Sequence, residues 1–429
     1  MPDAPQAVQD ISEELSKCNR CGFCQTRCPV YRMTGLESSV ARGHVALLQA
    51  VVEGRLPLDE EVRESLFSCL MCRACTAECP PGIETDGVVA AARASYLAQR
   101  QSWIQRFIFR RLLASPRALG IAVRALGWLK RSRFTVFSKL LRLVPWLDRG
   151  LAEGPDMMSI PGTFLRERIR RRPPGSGRGK PVGYFLGCAI DYAFPEVGES
   201  SLDLLEAAGY EVAVARNVCC GLPPYSYGDV ESARALARRN LEELERIEGE
   251  AIVTDCASCA SFLKEYPKLF EEDQSMRERA SAVASRVREL SEFLSGASLP
   301  DNLQPVDAVV TYHDPCHLSR YQMIVAEPRA LLQRIPGLEY RELPEADWCC
   351  GGAGSYALSH YQLSMQILER KMANIRATGA QIVVTPCPAC VMQLRYGAKK
   401  FDVPVEVVHL AELLRRALPA QRAVAGAGE

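Results

Sequence analysis

The sequence predicts an α + α/β chain: a helical, cysteine-rich first domain, a basic helical bridge, and two repeated α/β domains. Three observations carry this reading. Eight of the eighteen cysteines fall in two identical quartets between Cys18 and Cys79, separated by segments of helical period. The other ten form two copies of one pattern, with corresponding members 128 to 131 residues apart. Around each copy, short apolar strands alternate with helical segments, the arrangement of a parallel sheet. At 429 residues the chain is too long for one core. The expected boundaries are 12–98 for the first domain, 99–178 for the bridge and linker, 179–300 and 301–418 for the repeated domains, and 419–429 for a tail.

The first quartet, in CNRCGFCQTRCP, is Cys18, Cys21, Cys24 and Cys28; the second, in CLMCRACTAECP, is Cys69, Cys72, Cys75 and Cys79. This is the C-x2-C-x2-C-x3-C-P run of two-cluster iron-sulfur proteins, in which the fourth cysteine ligates the other cluster. The expectation is therefore a helical ferredoxin domain with two cubane 4Fe-4S clusters. Cluster one would use Cys18, Cys21, Cys24 and Cys79; cluster two, Cys69, Cys72, Cys75 and Cys28. A pair of zinc sites is the alternative. Between the quartets, SVARGHVALLQAVVEG and DEEVRESLF read as helices, with Leu47, Leu48 and Val51 on one face. Arg42 and His44 there either tune a cluster by hydrogen bonding or lie on a solvated helix face.

From Trp103 to Arg149 the bridge carries Arg106, Arg110, Arg111, Arg117, Arg124, Lys130, Arg131, Arg133, Lys139, Arg142 and Arg149 against one acid, Asp148. Ile104, Phe107, Ile108 and Leu112, then Ile121, Leu126 and Leu129, recur at helical spacing. Such helices either meet an anionic membrane or acidic partner, or pack on their own domain with Arg heads in solvent. The following RERIRRRPPGSGRGKP is a linker. Its GSGRGK is not a phosphate loop, because the glycine spacing fails and Pro181 follows Lys180.

In the second half, one copy comprises Cys188, Cys219, Cys220, Cys256 and Cys259; the other, Cys316, Cys349, Cys350, Cys387 and Cys390. VGYFLG, VVTYHD, AIVTD and QIVVTP read as buried strands leading into cysteines, so each site sits where a strand ends and a helix begins. Helix-start N–H groups favour thiolates, and Gly221, Gly351 and Gly352 permit close backbone approach. Five cysteines per copy exceed zinc's four ligands, which weakens but does not remove a zinc reading; a CxxC redox pair leaves the Cys-Cys-Gly unexplained. His313 and His317 flank Cys316. Each either donates a proton or hydrogen-bonds to a cluster from behind its ligands, or caps the turn together with Asp314. Asp191, Tyr192, Tyr225 and Tyr356 are weaker candidates, and no residue stands out as catalytic.

A net charge of +1 and the lack of a basic aromatic groove exclude nucleic acid as the expected partner. No secretory signal and no bilayer-length apolar run appear, so the expected location is the cytoplasm, either free or, where the bridge meets the membrane, peripheral on its inner face. Eighteen cysteines in a reducing compartment point to metal or cluster ligation rather than disulfides.

A two-cluster domain followed by two CCG domains resembles the glycolate oxidase iron-sulfur subunit family. The iron-sulfur subunits of lactate oxidation and of anaerobic glycerol-3-phosphate dehydrogenase are similar to it, as is heterodisulfide reductase. The closest segments are GYFLGCAIDY, NVCCGLP, TYHDPCHL, DWCCGGAGSY and LERKMANI. Many glycolate-oxidase-type subunits lack part of the last cysteine pair, whereas CPAC here keeps Cys387 and Cys390. That departure favours a ligand set like that of heterodisulfide reductase, and implies one or two further noncubane 4Fe-4S clusters. The resemblance implies an electron-transfer subunit serving a flavoprotein 2-hydroxy-acid dehydrogenase, with FAD only on that partner and a quinone or other acceptor downstream. No dinucleotide fingerprint occurs in this chain. A disulfide reductase and a zinc-bound scaffold are the competing classes.

Overall fold

The computed structural model describes residues 11–100, 102–131, 157, 160–172 and 179–419. Arg133, Lys139, Arg142, Asp148 and Arg149 of the bridge, residues 173–178 of the linker and almost all of the tail lie outside the described residues.

The first domain is helical because its apolar residues recur on one face of each segment. Helices Ala41–Val52, Glu60–Phe67 and Thr85–Arg100 pack Leu48, Val51, Leu66, Val88 and Val89 into a common core. Asp59 caps the second by accepting from the Glu61 and Val62 amides at 3.1 Å. Pro29 opens helix Pro29–Thr34, where its missing N–H costs nothing, and the Cys28 sulfur accepts from the Tyr31 amide at 3.5 Å.

The second half contains two four-stranded parallel sheets. Strands β1 (Lys180–Tyr184), β2 (Tyr210–Val214), β3 (Ile252–Thr254) and β4 (Val287–Glu289) lie in the order β2-β1-β3-β4. Strands β5 (Ala308–Tyr312), β6 (Leu338–Tyr340), β7 (Ile382–Thr385) and β8 (Glu406–His409) repeat it as β6-β5-β7-β8. Helices cover both faces, so β3 and β7 are buried throughout and read as continuous apolar runs. The repetition extends to caps: Glu289 ends β4 and accepts from the Ser291 amide, while His409 ends β8 and accepts from the Ala411 amide.

One apolar core joins the two sheets, with Tyr184, Leu186 and Leu205 against Val310, Tyr312 and Leu368. The bridge runs past the first sheet as helix Trp103–Phe107, a π turn over Ile108–Leu112 and helix Pro116–Arg131. Leu113 accepts from the Cys219 amide at 3.4 Å and Pro116 from the Tyr192 hydroxyl at 2.7 Å. Its apolar side chains do not all turn inward: Trp103, Ile121 and Trp128 are 76%, 68% and 70% exposed. That departs from a bridge packed entirely on its own domain.

His409 ties the halves together. Its Nε2–H donates to the Asp255 carbonyl at 2.8 Å, while Nδ1 accepts from Ala411, so the ring must be neutral. Burial lowers its pKa from 6.5 to about 4. The unfolded chain therefore binds a proton that the folded chain refuses, and stability falls as pH drops from 6.5 toward 4. Urea unfolding should show a loss of about 2 kcal/mol from this group between pH 7 and 5, and His409→Gln should flatten that part of the slope.

Candidate metal centres

The amino-terminal cysteines converge in two adjacent cavities. One is lined by Cys69, Cys72, Cys75 and Cys28. The other is lined by Cys18, Cys21, Cys24 and Cys79, with Cys75 also on its wall. Each fourth cysteine thus crosses to the other loop. The two loops also share a backbone device: Arg20 and Gly22 have φ of 54° and 87°, and the matching Met71 and Arg73 have 50° and 54°. Left-handed conformations at non-glycine residues cost about 1–3 kcal/mol each and persist where the surroundings enforce them, typically at functional sites.

The chemistry of the donor set fits a bound cationic group. Burial pushes the Cys69 thiol up to about 11 and the Cys28 thiol up to about 12. Sulfurs so crowded and dry carry negative charge only when metal ions compensate it. Amides already point at them, Met71 N at 3.4 Å from Cys69 Sγ and Tyr31 N at 3.5 Å from Cys28 Sγ. His44 is not on a solvated face. It is 1% exposed, lines the Cys69 cavity, and bonds the Ser65 carbonyl at 3.1 Å, because the helix turns this side inward against Glu60–Phe67. Arg42 instead pairs with Glu37 and donates to the Arg20 carbonyl.

Each α/β domain gathers its five cysteines at the ends of its strands. In the first, Cys188 opens helix Cys188–Ala193, Cys256 caps helix Ala257–Lys264, and Cys188 Sγ lies 4.0 Å from Cys219 Sγ. In the second, Cys316 opens helix Cys316–Ser319, Cys387 caps helix Pro388–Lys400, and Cys350 Sγ lies 3.4 Å from Cys390 Sγ. Gly351 has φ of 79°, and a Cβ there would stand 2.8 Å from the Ser364 carbonyl, so only glycine brings its amide to Cys349 Sγ at 3.4 Å. Thiols of Cys219 and then Cys259 hold Cys220 down to about 6, and those of Cys349 and then Cys390 hold Cys350 well below the usual thiol range.

The histidine and aspartate beside Cys316 do not cap its turn. Asp314 takes both ends of the Arg329 guanidinium, at 3.0 and 2.7 Å. His317 bonds Ser261 Oγ at 2.8 Å and stacks on Tyr321, joining the two α/β domains. His313 is buried, and one of its nitrogens lies within 4.8 Å of both Cys350 Sγ and Cys390 Sγ, which themselves lie within that distance of each other. Asp191 is spent on Arg166 at 2.7 Å.

The four groups form a row. Cys349 of the second α/β site and Cys72 of the ferredoxin domain belong to one apolar cluster with Val30, Trp348 and Tyr356. Across the other side, Ser258 Oγ beside Cys259 lies 3.6 Å from Cys387 Sγ. Residues without any motif hold this row together. Arg73 pairs with Asp86 at 2.9 Å and Glu265 at 2.7 Å and stacks over Tyr321; Tyr321 donates to the Met71 carbonyl, Arg320 to the Cys72 carbonyl and Tyr356 to the Ser68 carbonyl.

Comparison with known proteins follows the same division. The 4Fe-4S dicluster domain profile matches residues 14–83, and the cysteine-rich CCG domain profile matches 182–264 and 310–395. The probable glycolate oxidase iron-sulfur subunit of Bacillus subtilis is 34% identical over 94% of this chain and 94% of its own length. The chain belongs to the glycolate oxidase iron-sulfur subunit family. One of the subunits of the CoM/CoB fumarate reductase of Methanothermobacter marburgensis is 29% identical over 96% of this chain and 73% of its own. Lactate utilization protein A of Bacillus licheniformis is 32% identical over 54% of this chain and 98% of its own. The family is one of iron-sulfur oxidoreductase subunits. Among the described residues of this glycolate oxidase iron-sulfur subunit homologue, no helix is long and apolar enough to cross a membrane.

Removing the Asp86 carboxylate should leave Arg73 partly unpaired in the interface. Asp86→Ala is expected to destabilise the docked ferredoxin domain by about 3 kcal/mol, near the low end for a broken buried pair because Glu265 remains. Urea unfolding of the full chain reads this, and Glu265→Gln should cost less.

Proposed function

We propose that this chain is the iron-sulfur electron-transfer subunit of a flavin-dependent 2-hydroxy-acid dehydrogenase complex acting on glycolate or lactate. A flavoprotein partner carrying FAD oxidises the hydroxy acid, and this chain passes single electrons to a quinone or another acceptor. The observation that carries the reading is the contiguous row of four cysteine groups, from Cys21 at the surface through Cys72 and Cys349 to the first α/β site. Thiolates spaced in this way have no use in hydride chemistry and every use in electron relay.

In this reading Cys18, Cys21, Cys24 and Cys79 hold one cubane 4Fe-4S cluster, and Cys69, Cys72, Cys75 and Cys28 hold the other. Cys188, Cys219, Cys220, Cys256 and Cys259 hold a noncubane cluster, as do Cys316, Cys349, Cys350, Cys387 and Cys390. The clusters supply one-electron redox capacity when bound; the polypeptide buries them, orients N–H groups toward sulfur and keeps neighbouring sites in contact.

A second reading, reduction of a disulfide at the CCG sites, is favoured by the completeness of both five-cysteine sets and by the similarity to the CoM/CoB fumarate reductase. The arms separate cleanly. Purified chain should contain iron and acid-labile sulfide without zinc, should not oxidise glycolate or lactate alone, and should become reduced when its flavoprotein partner and substrate are added. Reduction of a small disulfide by the prereduced chain alone would support the second reading instead. Cys28→Ser should remove the cluster signal of the Cys69 loop while sparing that of the Cys18 loop; loss of the reverse signal would contradict the crossed ligand set.

The chain works in the cytoplasm, peripherally on the inner membrane face. Arg106, Arg110, Arg111 and Arg117 stand among exposed Trp103, Ile104, Phe107, Ile121 and Trp128, with no acid between residues 103 and 131, while Arg124 pairs with Glu167. Sedimentation with vesicles containing anionic lipid should show salt-sensitive binding that Trp103→Ala combined with Trp128→Ala weakens at least several-fold; equal binding to neutral vesicles would contradict it.

A further inference from the structure

The two α/β sites match in their cysteines and differ at one rung of the sheet behind them. Phe185 N donates to the Val253 carbonyl at 2.8 Å, and His313 N donates to the Val384 carbonyl at 2.9 Å. Each stands three residues before its lone cysteine, Cys188 or Cys316, and each acceptor stands three residues before its CxxC motif. The same point of the fold therefore presents a phenyl ring to the first site and an imidazole to the second. Phe185 is satisfied there: it is fully buried in an apolar cluster that includes Cys219, Cys220, Cys256 and Cys259.

His313 is not satisfied by the polypeptide. It is 1% exposed and neither ring nitrogen makes a hydrogen bond of normal geometry, although the Ala346 carbonyl lies close enough to favour a ring N–H. A buried polar group without a partner costs about 1–3 kcal/mol, so an imidazole kept in this place implies a partner the chain itself does not supply. One ring nitrogen, Cys350 Sγ and Cys390 Sγ lie within 4.8 Å of one another. Nitrogen and sulfur donors brought that close converge on a single metal position. Metal-bound histidines commonly present the other ring N–H to a backbone carbonyl, which is where Ala346 stands.

We propose that His313 is an iron ligand of the second α/β site through one imidazole nitrogen, so that this site is a mixed histidine–thiolate centre while the first, backed by Phe185, is all thiolate. The inference rests on the reading that both sites hold iron-sulfur clusters. Its consequence is electrostatic. A neutral nitrogen that takes an iron position otherwise open to one of the five anionic sulfurs raises a cluster's reduction potential, as histidine does in Rieske centres. A buried cation adds to this: Lys371 is fully buried, donates to the Glu345 and Ala346 carbonyls at 2.6 and 3.1 Å, and counts Cys350 and Cys349 among its charge neighbours. Near Cys219 the corresponding helix offers the neutral Asn240, which donates to the Cys219 carbonyl at 3.0 Å. Electrons entering past Cys72 thus meet the more oxidising of the two α/β sites first.

The test uses the full chain with its clusters, labelled with 15N-histidine and studied by pulsed electron paramagnetic resonance. The second-site signal, identified as the one altered by Cys387→Ser, should show a strong nitrogen coupling that changes with the isotope. His313→Phe should abolish that coupling and lower the midpoint potential of this site, leaving the first-site signal alone. Because the labelled unsubstituted chain gives the coupling directly, the result does not depend on the variant's folding. His44, beside the Cys69 cavity, is separated by its persistence in His313→Phe. Only weak nitrogen couplings in the labelled chain, or an unchanged potential in His313→Phe, would overturn the ligation. A Cys387→Ser chain that loses neither iron nor signal would sink the cluster reading of this site, and the ligation with it.

Discussion

Thiolates repel one another, and a protein that buries them side by side must bring a compensating positive charge into the same space. This constraint organises the molecule. Eighteen cysteines are gathered into four groups and nine of those residues are buried; burial pushes the Cys28 and Cys69 thiols up, while neighbouring thiols hold Cys220 down. Amides directed at sulfur, left-handed loop residues and helix starts beneath the CCG cysteines all serve to hold negative charge that cationic iron completes.

The same constraint explains the packing between domains. A row of metal centres is useful only if neighbouring sites touch, so specific polar anchors fix the orientation of interfaces that also share apolar cores. Arg73 reaches Asp86, Glu265 and Tyr321; Arg320 and Tyr321 hold carbonyls of the Cys69 loop; His317 and His409 link the two α/β domains. Bidentate and stacked arginines suit this task because their planar forks fix orientation as well as distance.

Much of this was legible in the sequence because it is encoded by short-range spacing. The quartets with Pro29 and Pro80 and the apolar strands before Cys188, Cys256, Cys316 and Cys387 each lie within a dozen residues of their consequence, and the CCG duplication shows itself as a constant offset of 128 to 131 residues. The order of the four groups was not legible, since it depends on how distant segments dock: nothing near Arg73 announces Glu265, nearly two hundred residues away. His44 read equally well as surface because helical period alone does not say which of two packed neighbours covers a face. The Asp314 and His317 positions resembled a cap locally, but Arg329 and Ser261 compete for them from elsewhere in the fold. The exposed apolar side of the bridge, at Trp103, Ile121 and Trp128, runs against the general tendency of such faces to pack inward.

The central claim is that the ferredoxin-domain centre at Cys72 and the CCG centre at Cys349 are immediate neighbours in one relay. Electron paramagnetic resonance of the fully reduced chain tests this most directly, because paramagnets in contact split and broaden each other's signals. Strong mutual coupling is expected between these two centres, with the Cys18-loop centre and the first CCG centre coupled only through them. Four sets of independent, uncoupled signals would contradict it.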